Sequence, residues 1–116
     1  MDSAKLKVAC ILAGIEVHED GTGCFIDIHG AGVFFYFNDP HPMFIAHVAS
    51  VLVAKIPQVS QIDIQVLSPA NDVGWLAEIF VPVRGVAGVS HVSTMEEGPF
   101  VAIIRAAVAA LESQEH

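Results

Sequence analysis

The stretch FYFNDPHPMFIAHV, residues 35–48, holds the densest set of chemically capable side chains in the chain: Asp39, His41 and His47 around two prolines. On one helix His41 and His47 would sit about 120° apart, so they cannot share a metal as an i, i+4 pair does. The string reads better as a helix start. Asp39 is a suitable N-cap, Pro40 fits the first helical position, and Pro42 still falls where no intrahelical donor is needed. The other donors, His18, Glu19, Asp20, His29 and His91, show no HxH, HxxxH, HExxH or CxxC spacing. Asp27 and His29 come nearest, two residues apart on one strand face, where they could form a site or simply a polar surface. Cys10 falls in an apolar helix and Cys24 on the inward side of a strand, which suits unreactive thiols. DGTG at 20–23 leads into a strand, whereas a phosphate loop opens a helix, so it reads as a turn. No catalytic residue, metal ligand or cofactor is assigned.

Binding residues are a different matter. Alternation places Cys24, Ile26, Ile28, Val33, Phe35, Ile62 and Ile64 towards the helices. The opposite face then carries Phe25, Phe34, Tyr36 and Asp63, a mixture of rings and carboxylate that suits a contact between copies. A cleft beside Trp75 could hold an anionic ligand, with Arg84 or Arg105 as its reader. Arg105 lies among apolar residues and requires a carboxylate or a ligand anion. Glu112, two turns on, is one available partner. Arg84 sits in a turn beside Gly85.

Composition narrows the function classes. The chain has 116 residues, one domain's worth, with 53% apolar and only 16% charged residues. Charge is scarce for a monomer's surface, so an uncovered apolar patch and a homodimer are expected. The net charge is −8 with five Lys and Arg in all, which argues against nucleic acid as a partner. No apolar run reaches the roughly 20 residues that span a bilayer, and the start of the chain does not read as a secretion signal. A soluble, cytoplasmic protein with reduced cysteines is expected.

The elements that position these residues follow from periodicity. SAKLKVACILAG reads as a helix closed by Gly14 in a left-handed cap, with Ile15 as its apolar contact. Residues 23–37 read as a β-hairpin turning at GAG. Residues 40–55 form a helix whose stripe is Phe44, Ile45, Val48, Leu52 and Ile56. VSQIDIQVL is a strand. GWLAEIF fits two patterns, and a short helix over 72–80 is preferred, followed by strands at 81–84 and 88–93. The last helix follows EEGP, with Phe100, Ile104, Val108 and Leu111 as its core stripe and Ala102, Ala106 and Ala109 opposite, either small enough for a second helix to approach or simply good helix formers on a surface.

Two segments resemble a known family. NDVGWLAEIF and EEGPFVAIIRAAVAALES are similar to segments of small phage and prophage proteins described as an αβα sandwich domain. The matching positions are Asp72, Val73, Ala77, Glu78, Pro99, Ile103, Arg105, Ala106 and Ala107. The Trp departs from the pattern, standing at 75 where the family has Ala. The resemblance covers residues from about 70 onward. It implies a three-layer arrangement and a phage or mobile-element setting, and no enzyme activity.

Together these readings predict an α+β fold: a mainly antiparallel sheet of four or five strands packed with three or four helices, with the three-layer αβα sandwich as one form of it. The leading function is a small acidic homo-oligomeric accessory protein acting by protein contact. A module for a small anionic ligand is the alternative, and a metal-dependent enzyme built on Asp27, His29 and the histidines near 18 and 41 is a third.

Overall fold

The computed structural model describes residues 1–56, 61–67, 74–80 and 88–114. The fold is α+β. Its elements run α1 (Ser3–Leu12), β1 (Gly23–Ile28), β2 (Ala31–Tyr36), α2 (Pro42–Lys55), β3 (Gln61–Leu67), β4 (Gly74–Phe80), β5 (Val89–Thr94) and α3 (Pro99–Gln114). All strand pairs are antiparallel. The five strands divide into two sheets, β1–β2 and β3–β4–β5, where one sheet was expected.

Helix α1 is held at both ends by its own sequence. Asp2 accepts the Ala4 amide hydrogen at 2.8 Å. Gly14 adopts φ 77°, and the amides of Gly14 and Ile15 close on the carbonyls of Ile11 and Cys10. That is a Schellman closure, and the left-handed residue is Gly because a Cβ is strained there.

Helix α2 begins two residues later than Asp39 would place it. The cap is His41, whose Nδ1 accepts the Met43 amide at 3.0 Å, and Pro42 takes the first helical position. Pro42 is also the cause of the shift. A residue before proline is pushed to extended backbone, and His41 sits at ψ 143°. His41 is thereby used as a structural acceptor. The apolar stripe is as expected: Phe44, Ile45, Val48, Leu52 and Ile56 are all buried, joined by Ala49.

Of the helix expected over 72–80, residues 74–80 form strand β4 instead, and 72–73 lie outside the described residues. GWLAEIF satisfies both periodicities, but β4 is the central strand, paired along its length with β3 and β5, and those pairings decide the matter. Of the strands expected at 81–84 and 88–93, the second is β5. The first lies outside the described residues.

Helix α3 packs on β4 and β5 on one side and on α2 on the other. Val101, Ala102, Ile103, Ile104, Ala106, Ala107 and Ala110 are therefore buried, while Phe100 is 44% exposed. Of the expected stripe only Ile104 is buried, and Ala102 and Ala106, placed opposite it, are fully buried, because a helix with neighbours on two sides buries more than one face. Its alanines let those neighbours approach closely. The two-stranded hairpin joins through aromatic packing: Phe35 of β2 stacks on Phe44 of α2, with centroids 5.1 Å apart and planes within 7°. Burying Phe44 completely stabilises the fold by about 1.5–3 kcal/mol.

Candidate functional site

The hairpin has two unlike faces. Cys24, Ile26 and Phe35 are buried against the helices. Register sets Phe25 opposite Phe34 and Gly23 opposite Tyr36, so the three rings share the outer face. Phe25 and Phe34 meet edge to face at 4.9 Å, and Phe34 and Tyr36 at 4.8 Å. Phe25 is 59% exposed and Tyr36 55%.

His18 completes this row. Its backbone amide donates to the Gly23 carbonyl at 2.8 Å, just beyond the Val17–Cys24 bridge. The imidazole then lies 5.9 Å from Phe25 and 5.5 Å from Phe34, edge to face with both. The sequence offers His18 as a candidate metal donor and not as a neighbour of the rings. The sole available signal was the hydrophobic Val17 just before it, which starts the bridge to β1.

Carboxylates border the rings. Glu16, Val17, His18, Glu19 and Phe25 line an open hollow of about 340 Å³. Asp20 accepts from the Thr22 amide at 3.0 Å and from the Thr22 hydroxyl at 2.7 Å. These bonds, the backbone one foremost, hold its carboxyl down to about 2, so it stays ionised. Lys7 reaches Gly21 of the same turn. The corner thus sets the carboxylates of Glu16, Glu19 and Asp20 against one ammonium.

Of the four residues expected to share an interface, three come together and one does not. Phe25, Phe34 and Tyr36 lie on the hairpin, and Asp63 lies on β3 of the other sheet. There Asp63 accepts from Gln61 Nε2 at 2.7 Å.

The residues expected to read an anion are also separated. Arg84 lies outside the described residues. Trp75 is on β4, between Val66 and Ser93, on the sheet side that carries buried Ala77 and Ile79. Its indole N–H is buried with no acceptor among the described residues. Arg105 has a structural task. Its Nη2 and Nη1 donate to the two Glu97 oxygens at 2.8 and 3.2 Å, and Nη1 also donates to the Val92 carbonyl at 2.8 Å. Glu97 in turn accepts from the Thr94 amide at 3.1 Å, while its own amide donates to the Thr94 hydroxyl. This reciprocal pair fixes the turn between β5 and α3, much as a capping box fixes a helix start. The Arg105 hydrogen bonds hold the Glu97 carboxyl down to about 2. Arg105 also borders a cleft of about 480 Å³ beside α1, with Lys5, Val8, His91 and Glu112 among its lining.

Asp27, His29 and His47 border a third hollow, of about 280 Å³, beneath the hairpin turn. Among the described residues no three His, Cys, Asp or Glu side chains are grouped to hold a metal ion. Cys10 and Cys24 are both buried, and burial raises both thiols above their ordinary range. Among the described residues no helix is long and apolar enough to cross a membrane. No family model, curated protein or solved structure matches the chain.

Proposed function

We propose that this chain is a small, acidic, self-associating accessory protein of the cytoplasm. It works by protein contact without catalysis, and it receives a basic segment of a partner on the outer face of the β1–β2 hairpin. The observation that carries this reading is the row of His18, Phe25, Phe34 and Tyr36, with Phe25 and Tyr36 exposed and Glu16 and Glu19 lining the hollow beside it. Exposed ring faces attract guanidinium and ammonium groups, by about 0.5–1 kcal/mol each at open sites. Carboxylates beside the rings add long-range steering, as does the chain's net charge of −8. The hairpin's inner face is fixed on Phe44, so the rings are presented without an ordering cost at binding. The resemblance of residues from about 70 onward to small phage proteins supports a phage or mobile-element setting for this role.

Calorimetry with an arginine-rich peptide tests the reading. The wild type should bind it, bind a glutamate-rich peptide of equal length not at all, and lose binding on Phe25→Ser/Tyr36→Ser substitution. Equal heats from both peptides, or a double variant that binds unchanged, would remove the hairpin face from the account.

A second reading is favoured by the cleft beside α1. Lys5, His91 and Arg105 there could attract a small anion. It predicts a rise in melting temperature with phosphate-bearing metabolites that is lost in Lys5→Gln. A panel without any such rise rejects it.

A further inference from the structure

Strand β3 is one of the two outer strands of β3–β4–β5, and among the described residues no strand pairs with its free edge. Open edges are ready templates for another chain, and they are commonly protected by Lys, Pro or a bulge. QIDIQVL carries neither Lys nor Pro, and its pairing with β4 runs unbroken over all seven positions. Ile62, Ile64 and Val66 share a face with Ala77 and Ile79, the face that α3 packs upon. Ala77 and Ile79 are fully buried, yet Ile64 and Val66 are 44% and 56% exposed. The sheet's apolar face therefore runs out beyond its helix, and it does so along the β3 edge.

The occupant is written in the strand's own symmetry. Two copies joined edge to edge by antiparallel strands are related by a two-fold axis perpendicular to the sheet. Residues opposite one another share a face, so that axis must pass through a residue. Centred on Ile64, all seven positions pair: 61 with 67, Ile62 with Val66, Asp63 with Gln65, and Ile64 with itself. Apolar residues meet apolar residues on one face, and a carboxylate meets an amide on the other. Centred on Asp63, two carboxylates would face each other. Centred on Gln65, only five positions would pair.

Resting on the reading of self-association above, we propose that a second copy of this chain occupies the β3 edge in the Ile64-centred register. Three strands from each copy then form one six-stranded sheet. The axis keeps both α3 helices on the same side, flanking the Ile64 and Val66 side chains of the two copies.

Light scattering and disulfide trapping test this together. The wild type should have twice the mass of one chain, and Ile64→Lys, which sets two ammonium groups at the axis, should have the mass of one with unchanged circular dichroism. Opposed positions lie about 4.5–5.5 Å apart between Cα atoms, within disulfide reach. Ile64→Cys should thus oxidise to a covalent dimer, whereas Ser90→Cys on exposed β5 should not, the native thiols being buried. If Ile64→Lys unfolds, the cysteine pair decides alone. A wild-type dimer that survives Ile64→Lys, or an Ile64→Cys that links no faster than Ser90→Cys, overturns the β3 contact while self-association stands. A wild type of single mass overturns both.

Discussion

The two sheets make the same use of their inner faces and opposite use of everything else. Each lays one side on the helices: Cys24, Ile26 and Phe35 from the hairpin, Ala77 and Ile79 from the larger sheet. The hairpin then exposes large rings on its far side. The larger sheet exposes mostly polar residues there, Gln61, Gln65, Ser90 and Thr94 around Val92, and leaves Ile64 and Val66 of its helix-packed face uncovered at the β3 edge. Ring faces suit a partner of different chemistry, and an open edge with a symmetric strand suits a second copy. A protein with little charge thus keeps two apolar surfaces apart, one for each kind of contact.

The largest effect should come from the residue that ties the hairpin to the helices. Phe44→Ala removes the ring that stacks on Phe35, and it should cost about 3–5 kcal/mol in denaturant unfolding. Hydrogen exchange should speed in β1 and β2 more than in β4. Uniform acceleration would mean that the two regions open as one.

Overpacking the other region should cost less. Ala106 is fully buried on α3. Ala106→Leu should lose about 1–3 kcal/mol, because the helix is held between α2 and a sheet. A neutral substitution would show slack between those layers.

The acid response compares the two regions through one carboxylate each, Glu97 after β5 and Asp20 before β1. Both are held down to about 2 in the folded protein. Groups of this kind contribute stability fully above their ordinary range, near pH 4–4.5, and lose it as pH falls towards 2. Glu97→Gln breaks the Arg105 pair and should cost about 1 kcal/mol at pH 7, since the pair is partly exposed. Its deficit relative to wild type should shrink through that window. A deficit that stays constant from pH 7 to 2.5 would show that the charge of Glu97 contributes nothing.

The smallest effect on stability belongs to the exposed rings. Phe25→Ser should change the unfolding free energy by no more than about 0.5 kcal/mol, as surface positions do. A loss several times larger would make the ring row part of the hairpin's own stability rather than a surface for a partner.

Local signals were legible where one neighbour decides. The Gly14 closure, the α2 stripe, the hairpin and the β3 strand all follow from short-range pattern. The pattern failed where tertiary partners decide. GWLAEIF reads as helix or strand until β3 and β5 flank it. The stripe on α3 could not show that the helix has neighbours on two sides. One inferred sheet face joined Asp63 to the hairpin rings, because alternation gives the face of each strand but not which strands share a sheet. Within the site, Phe25, Phe34 and Tyr36 were readable from alternation alone. His18 and Glu16 were not, since the bridge at Val17 brings them across. Asp39 lost the cap to His41 through a restriction that Pro42 places on its predecessor.

The most direct test of the account is a map of backbone amide shifts as an arginine-rich peptide is titrated into the wild type. The account predicts shifts confined to residues 16–20 and to β1 and β2, saturating together, with β3, β4 and β5 silent. Shifts centred on the larger sheet, or none at a peptide concentration that saturates calorimetric binding, would contradict it.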